Sequence, residues 1–148
     1  MTILRTIDAT ISVAPQIDPD DMAEIAASGF TAIVNNRPDG EDFGQPSGDD
    51  IAAAAHAAGL SYTAIPITHT GFSHPQIDAM AAVLAEAKGP VLAYCRSGTR
   101  SCNLWALAAV KAGAHPDAAM AKAAAAGYDL TGLRPLLDAL STPASPGA

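Results

Sequence analysis

Residues 91–101 read VLAYCRSGTRS, an apolar run that meets a cysteine and then sets two arginines, a glycine and three hydroxyl side chains in six positions. The apolar half, with Pro90 before it, predicts a short buried strand. The following SCNLWALAAVKAG carries apolar residues at helical spacing, so Cys95 falls at a strand-to-helix turn. Working outward, TAIVNN (31–36) and SYTAIPI (61–67) have the same β-branched or aromatic character and Gly or Pro boundaries. A weaker pair, ILRTI and ISVAP, opens the chain. Between these runs lie helical patterns: DPDDMAEIAAS with Asp18 as N-cap and Pro19 in the first turn, SGDDIAAAAHAAG, HPQIDAMAAVLAEAKG, HPDAAMAKAAAAG and a short segment around 133–140. Strands alternating with helices predict an α/β, three-layer architecture, a mostly parallel sheet of four to five strands flanked by helices.

The chain has 148 residues, which fits one domain, expected over 1–140, with the tail STPASPGA (141–148) disordered. Hydrophobic residues make up 49% and the formal net charge is −7. No apolar run approaches the roughly 18 residues that span a bilayer. An acidic chain without clustered Lys and Arg argues against binding nucleic acid or an anionic membrane. The opening MTILRTIDATISVAPQ lacks the features of an export signal, so a cytoplasmic location is expected. Cys95 and Cys102 are expected as reduced thiols, since adjoining turns of one segment are poor geometry for a disulfide. His56, His69, His74 and His115 are scattered without ligand spacing, so no metal and no cofactor is expected.

In a sheet of this type ligands bind where strands end and helices begin. The loop Arg96, Ser97, Gly98, Thr99 points successive backbone N–H groups and the positive end of a helix at the volume beside Cys95, which favours thiolate over thiol. Gly98 lets the loop turn tightly and approach a ligand. Arg100 can offer a planar fork to an oxyanion, with Arg96 beside it, and Ser101 can hydrogen-bond the thiolate. Taken together, Cys95 is the expected nucleophile and Arg100 its anion-binding partner.

The stretch YCRSGTRS resembles the active-site loops of two families, the rhodanese sulfurtransferases and the cysteine-dependent protein phosphatases. More widely, SGFTAIVNNRPDGE, GLSYTAIPI and PVLAYCRSGTRSCNLWAL resemble the bacterial phosphatase-like domains named after the beta-lactamase hydrolase-like protein. That resemblance covers about 11–110 and implies a cysteine-phosphatase-like fold. It also implies a sulfide-oxidation partner such as a persulfide dioxygenase, to which such domains can be fused.

Two features bear on the chemistry. Phosphatases carry Cys-x5-Arg, whereas four residues separate Cys95 from Arg100, as in rhodaneses, and Ser101 stands where a phosphatase has its arginine. Phosphatases also draw a proton from an Asp shortly after a strand resembling YTAIPI. Here that strand leads into Thr68, His69, Thr70 and Gly71, with no carboxylate before Asp78. A sulfur transfer that expels sulfite needs no proton. The expectation is therefore a rhodanese-type sulfurtransferase that takes sulfur from a small anionic donor, thiosulfate or a persulfide, as a Cys95 persulfide. The alternative is a phosphatase that forms a Cys95 phosphocysteine from a phosphorylated substrate, and the third reading is a non-catalytic anion-binding module.

The segment Asn35-Asn36-Arg37 leads into the acidic, Gly- and Pro-rich PDGEDFGQP. It reads either as a polar turn or as pocket wall, and the resemblance favours Asn36 and Arg37 lining the pocket. His69 is a candidate replacement acid or donor contact on the loop expected to face Cys95. His74 and His115 read as helix starts, His56 as a surface or boundary residue, and Leu104, Trp105 and Leu107 as core. Cys102 reads as a packing residue or a resolving thiol.

Overall fold

Every parallel strand of the sheet is only four residues long, and their shared register puts four loop mouths at one edge. The computed structural model describes residues 4–141. The strands are β1 (Arg5–Asp8), β2 (Ile11–Ala14), β3 (Ala32–Asn35), β4 (Ser61–Ala64) and β5 (Val91–Tyr94). They form one sheet in the order β1-β2-β5-β3-β4, parallel except for β1, which turns back on β2 with an irregular register between Thr6 and Asp8. Ala14, Tyr94, Asn35 and Ala64 stand in register, so the segments after β2, β5, β3 and β4 leave the sheet side by side.

The helices are α1 (Met22–Ala27), α2 (Gly48–Ala57), α3 (His74–Glu86), α4 (Thr99–Lys111), α5 (Pro116–Ala125) and α6 (Arg134–Ser141). Pro19 and its neighbours form a 3-10 turn that leads into α1, with the Asp18 N–H donating to the Asp21 carboxylate. Ser47 caps α2 by accepting from the Asp50 N–H, and Ser73 with Gln76 closes a reciprocal cap on α3. The helix α3 stops three residues short of Gly89. The terminal helix runs on through Ser141, so the expected disordered tail is helical at its first residue, and 142–148 lie outside the described residues.

Both faces of the central strands are buried, which explains their unbroken apolar runs. Ala14, Ile33, Leu92 and Tyr94 pack under α1 and α2, while Val13, Val34, Val91 and Ala93 face the side of α3 to α6. The helix α4 lies deepest, with Cys102, Leu104, Trp105 and Leu107 buried, as their helical spacing predicts. Each buried leucine stabilises by about 1.5–3 kcal/mol relative to exposure. This packing fixes α4, and α4 fixes the loop that begins at Cys95.

Candidate active site

The residue after β5 is Cys95, tied to the sheet by its N–H on the Ala14 carbonyl at 3.2 Å. The chain then turns through Arg96, Ser97 and Gly98 into α4. Gly98 has a φ of 90°, a left-handed conformation that disfavours side chains, and it brings its N–H to within 3.1 Å of the Cys95 sulfur. A backbone donor aimed at sulfur from the start of a helix suits a thiolate. The sulfur itself has no exposed surface.

The loop residues divide their work differently from expectation. Ser97 and Thr99 bond each other, Oγ to Oγ1 at 3.0 Å. Ser101 is fully buried and donates to Asn36 Oδ1 at 2.7 Å, so its hydroxyl proton goes to the asparagine and not to the thiolate. Asn36 is equally buried and donates to the Ile65 carbonyl at 2.9 Å, which makes it a strut beneath the loop and corrects its assignment to the pocket wall.

Arg100 carries both guanidinium nitrogens to Glu41, Nη1 to Oε2 at 2.7 Å and Nη2 to Oε1 at 2.8 Å, and Nη1 also donates to the Ile67 carbonyl. The pair drives Glu41 down to about 2, chiefly through the hydrogen bond from Arg100 and secondarily through Arg37. Arg100 is held further on its charged side, first by Glu41 and then by the Cys95 sulfur. Arg37 is buried and does not offer a free fork to the pocket. It donates to Glu41, to Asp42 at 2.7 Å and to Gln16 at 3.0 Å. Arg96 is largely exposed and reaches Asp42 only at 3.5 Å. The loop between β3 and α2 thus brings two carboxylates to the site, both as ion-pair partners of its arginines.

That loop braces itself. Gln45 accepts from the N–H groups of Glu41 and Asp42 and donates to the Pro38 carbonyl, and Asp39 accepts from the Gly48 N–H at 2.8 Å. Glu41, Asp42 and Gln16 are the site residues that sequence reasoning passed over. The signal for the first two was present, an acidic loop facing a basic one across the sheet edge. Beside Arg100 opens a groove of about 680 Å³ lined by Pro38, Glu41, Ile67, His69, Phe72 and Asn103 among others, which places His69 next to the site. A second hollow of about 520 Å³, around Thr31, Ser61 and Lys88, lies at the far end of the strands, away from Cys95.

Cys102 is buried one turn along α4, and burial pushes its thiol up to about 12, so it is poorly suited to resolve a disulfide with Cys95. Among the described residues no group of three or more His, Cys, Asp or Glu could hold a metal, and no helix is long and apolar enough to cross a membrane.

Comparison with known proteins places this arrangement. The family described as "Beta-lactamase hydrolase-like protein, phosphatase-like domain" matches residues 3–114. The beta-lactamase hydrolase-like protein of Agrobacterium fabrum is 40% identical over 101 residues, covering 68% of this chain and 23% of that protein. The chain therefore spans about a quarter of the length of the curated relatives it matches. A crystal structure from Neisseria meningitidis, described as a "putative phosphatase", superposes with a TM-score of 0.79 at 31% identity over 92% of this chain and 96% of that one. The active form of Tk-PTP shares the fold, with a TM-score of 0.71 at 20% identity over 93% of this chain and 95% of that one. A mostly parallel sheet that ends in a cysteine loop, and a match over most of its length, place this chain in the phosphatase-like domain family of the beta-lactamase hydrolase-like proteins, with the fold of the cysteine phosphatases.

Proposed function

We propose that this domain is a cysteine-dependent phosphatase that hydrolyses phosphate monoesters through a Cys95 phosphocysteine. The observation that carries the reading is the Gly98 N–H on the Cys95 sulfur beside an arginine that already grips an oxyanion, the Glu41 carboxylate. A carboxylate and a phosphoryl group offer Arg100 the same paired oxygens. The expectation of sulfur transfer leaned on the missing acid after β4, and that support weakens because His69 stands in the groove beside Arg100, where it can serve as the proton donor.

In the first step the Cys95 thiolate attacks phosphorus, the S–P bond forms, the P–O bond to the leaving group breaks, and the leaving oxygen takes a proton. Glu41 is ionised at neutral pH while Arg100 holds it, so it does not supply that proton in this arrangement. His69, in the adjoining groove, is the proposed donor. In the second step a water attacks phosphorus, the S–P bond breaks, inorganic phosphate leaves, and His69 takes the proton from the water. Because Cys95 is fully buried and Glu41 occupies Arg100, substrate reaches the pair only after the loop or Glu41 has shifted. Aryl phosphates, whose leaving groups need the least help, are the expected substrates.

Sulfur transfer stays as the second reading on one observation, the four-residue ring between Cys95 and Arg100. There the thiolate would attack the outer sulfur of thiosulfate, the S–S bond to the sulfonate would break, and sulfite would leave without a proton. Parallel assays of aryl phosphate hydrolysis and of thiosulfate-to-cyanide transfer, on the wild type and Cys95→Ser, test the choice. The proposal expects phosphate release that is abolished by the substitution. Thiocyanate formation without phosphate release overturns it.

A further inference from the structure

Tyr128 lies on the turn after α5, beyond the residues 3–114 that the family matches. Its hydroxyl donates to the Ser97 carbonyl at 3.3 Å. The Ser97 carbonyl and the Gly98 N–H belong to one peptide group, and that N–H is the donor on the Cys95 sulfur at 3.1 Å. The three groups therefore form a chain: phenol to carbonyl, through the peptide, to N–H and sulfur. A hydrogen bond accepted at a peptide oxygen polarises the amide and strengthens its N–H as a donor. The approach is close enough that a Cβ at Gly98 would collide with Tyr128 Oη.

Tyr128 is itself held. Its N–H donates to the Ala123 carbonyl at 2.9 Å, and its ring lies 5.8 Å from the Arg5 guanidinium. Arg5 in turn donates to the Ala126 carbonyl at 3.0 Å. The first strand and the end of α5 thus set the phenol against the loop. Burial raises Tyr128 above the ordinary tyrosine value, so it stays protonated, and able to donate, through neutral pH.

We propose that Tyr128 is a positioning residue that acts through the Ser97–Gly98 peptide to stabilise the Cys95 thiolate, so that the segment beyond the family match tunes the nucleophile. The charged and titratable groups that face this chain are Arg100 and Cys102 on α4 near the sulfur, and Arg5 on β1 near the phenol. None of them is altered by Tyr128→Phe. The proposal concerns the thiolate itself and holds for either electrophile, phosphorus or sulfur.

The test is the pH titration of Cys95 by thiolate ultraviolet absorbance, each protein read against its Cys95→Ser counterpart, which needs no reagent to reach the buried sulfur. Cys102 stays a thiol over the range and is silent. Tyr128→Phe keeps the ring and removes only the hydroxyl; it is expected to move the midpoint up by about 0.3–0.7 unit, a two- to fivefold loss of thiolate below the midpoint. A 3-fluorotyrosine at 128, a stronger donor, is expected to move the midpoint the other way. Midpoints that stay unchanged in both proteins overturn the proposal, as does a Tyr128→Phe shift downward.

Discussion

Glu41 lays both of its carboxylate oxygens on Arg100, at 2.7 and 2.8 Å, so the fork that would receive a substrate's oxyanion is already filled by an anion of the same chain. The occupant belongs to the same chain, which makes it a competitor for any incoming oxyanion. Glu41→Gln keeps the shape and an acceptor oxygen but removes the charge. Orthovanadate, an oxyanion inhibitor, is expected to bind the variant about 3–10-fold more tightly, the share of a charge-assisted hydrogen bond that the ligand no longer has to displace. An inhibition constant that is unchanged or higher shows that Glu41 does not compete for the fork.

The same pair has a pH signature. Glu41 titrates near 2 when folded, below its ordinary value of 4.5, because Arg100 and then Arg37 hold the carboxylate ionised. A carboxyl whose folded value is depressed adds stability that is fully present above its unfolded value and is lost as pH falls through the folded one. The difference in thermal midpoint between the wild type and Glu41→Gln is therefore expected to be constant from neutral pH down to about 5 and to shrink between about 4 and 2. A difference that changes between pH 7 and 5 contradicts the assignment.

Ser101→Ala separates support from chemistry. The substitution leaves the fully buried Asn36 Oδ1 without the Ser101 donor, a loss of about 1–2 kcal/mol. For a domain of this size that corresponds to a fall in melting temperature of about 3–6 °C. The Cys95 titration midpoint is expected to stay where it is. A large upward shift of that midpoint would return Ser101 to the thiolate.

His69→Ala tests the proton donor. If His69 protonates the leaving oxygen, kcat for an alkyl phosphate falls by about a hundredfold, while an aryl phosphate with an electron-poor ring loses less than about threefold. Equal losses on both substrates would mean that His69 only shapes the groove.

The sheet and its helices were legible because their patterns are local. TAIVNN and PVLAYC carry a β-branched or aromatic apolar run and turn-residue boundaries that survive folding, and Cys95 at the strand-to-helix turn followed from them. The site's partnerships were not legible in the same way. Arg100 and Glu41 are fifty-nine positions apart, and what joins them is the register of β3 beside β5, which no local pattern records. For the same reason Asn36 and Arg37 could be placed near the pocket but not given their roles. Asn36 faces inward to Ser101, and Arg37 is spent on Glu41, Asp42 and Gln16. Tyr128 gave no signal at all, since a single tyrosine after an alanine-rich helix acquires its meaning only from the loop it touches.

Hydrolysis by the proposed route requires that Cys95 carry a phosphoryl group during turnover. Mixing the protein with an aryl phosphate, quenching in acid during the first turnovers and sequencing the peptide that contains Cys95 by mass spectrometry reads this directly. One phosphoryl increment on Cys95 is expected, together with a burst of phenol and no increment in Cys95→Ser. An unmodified Cys95 under these conditions, with one added sulfur atom on the same residue after thiosulfate treatment, would contradict it.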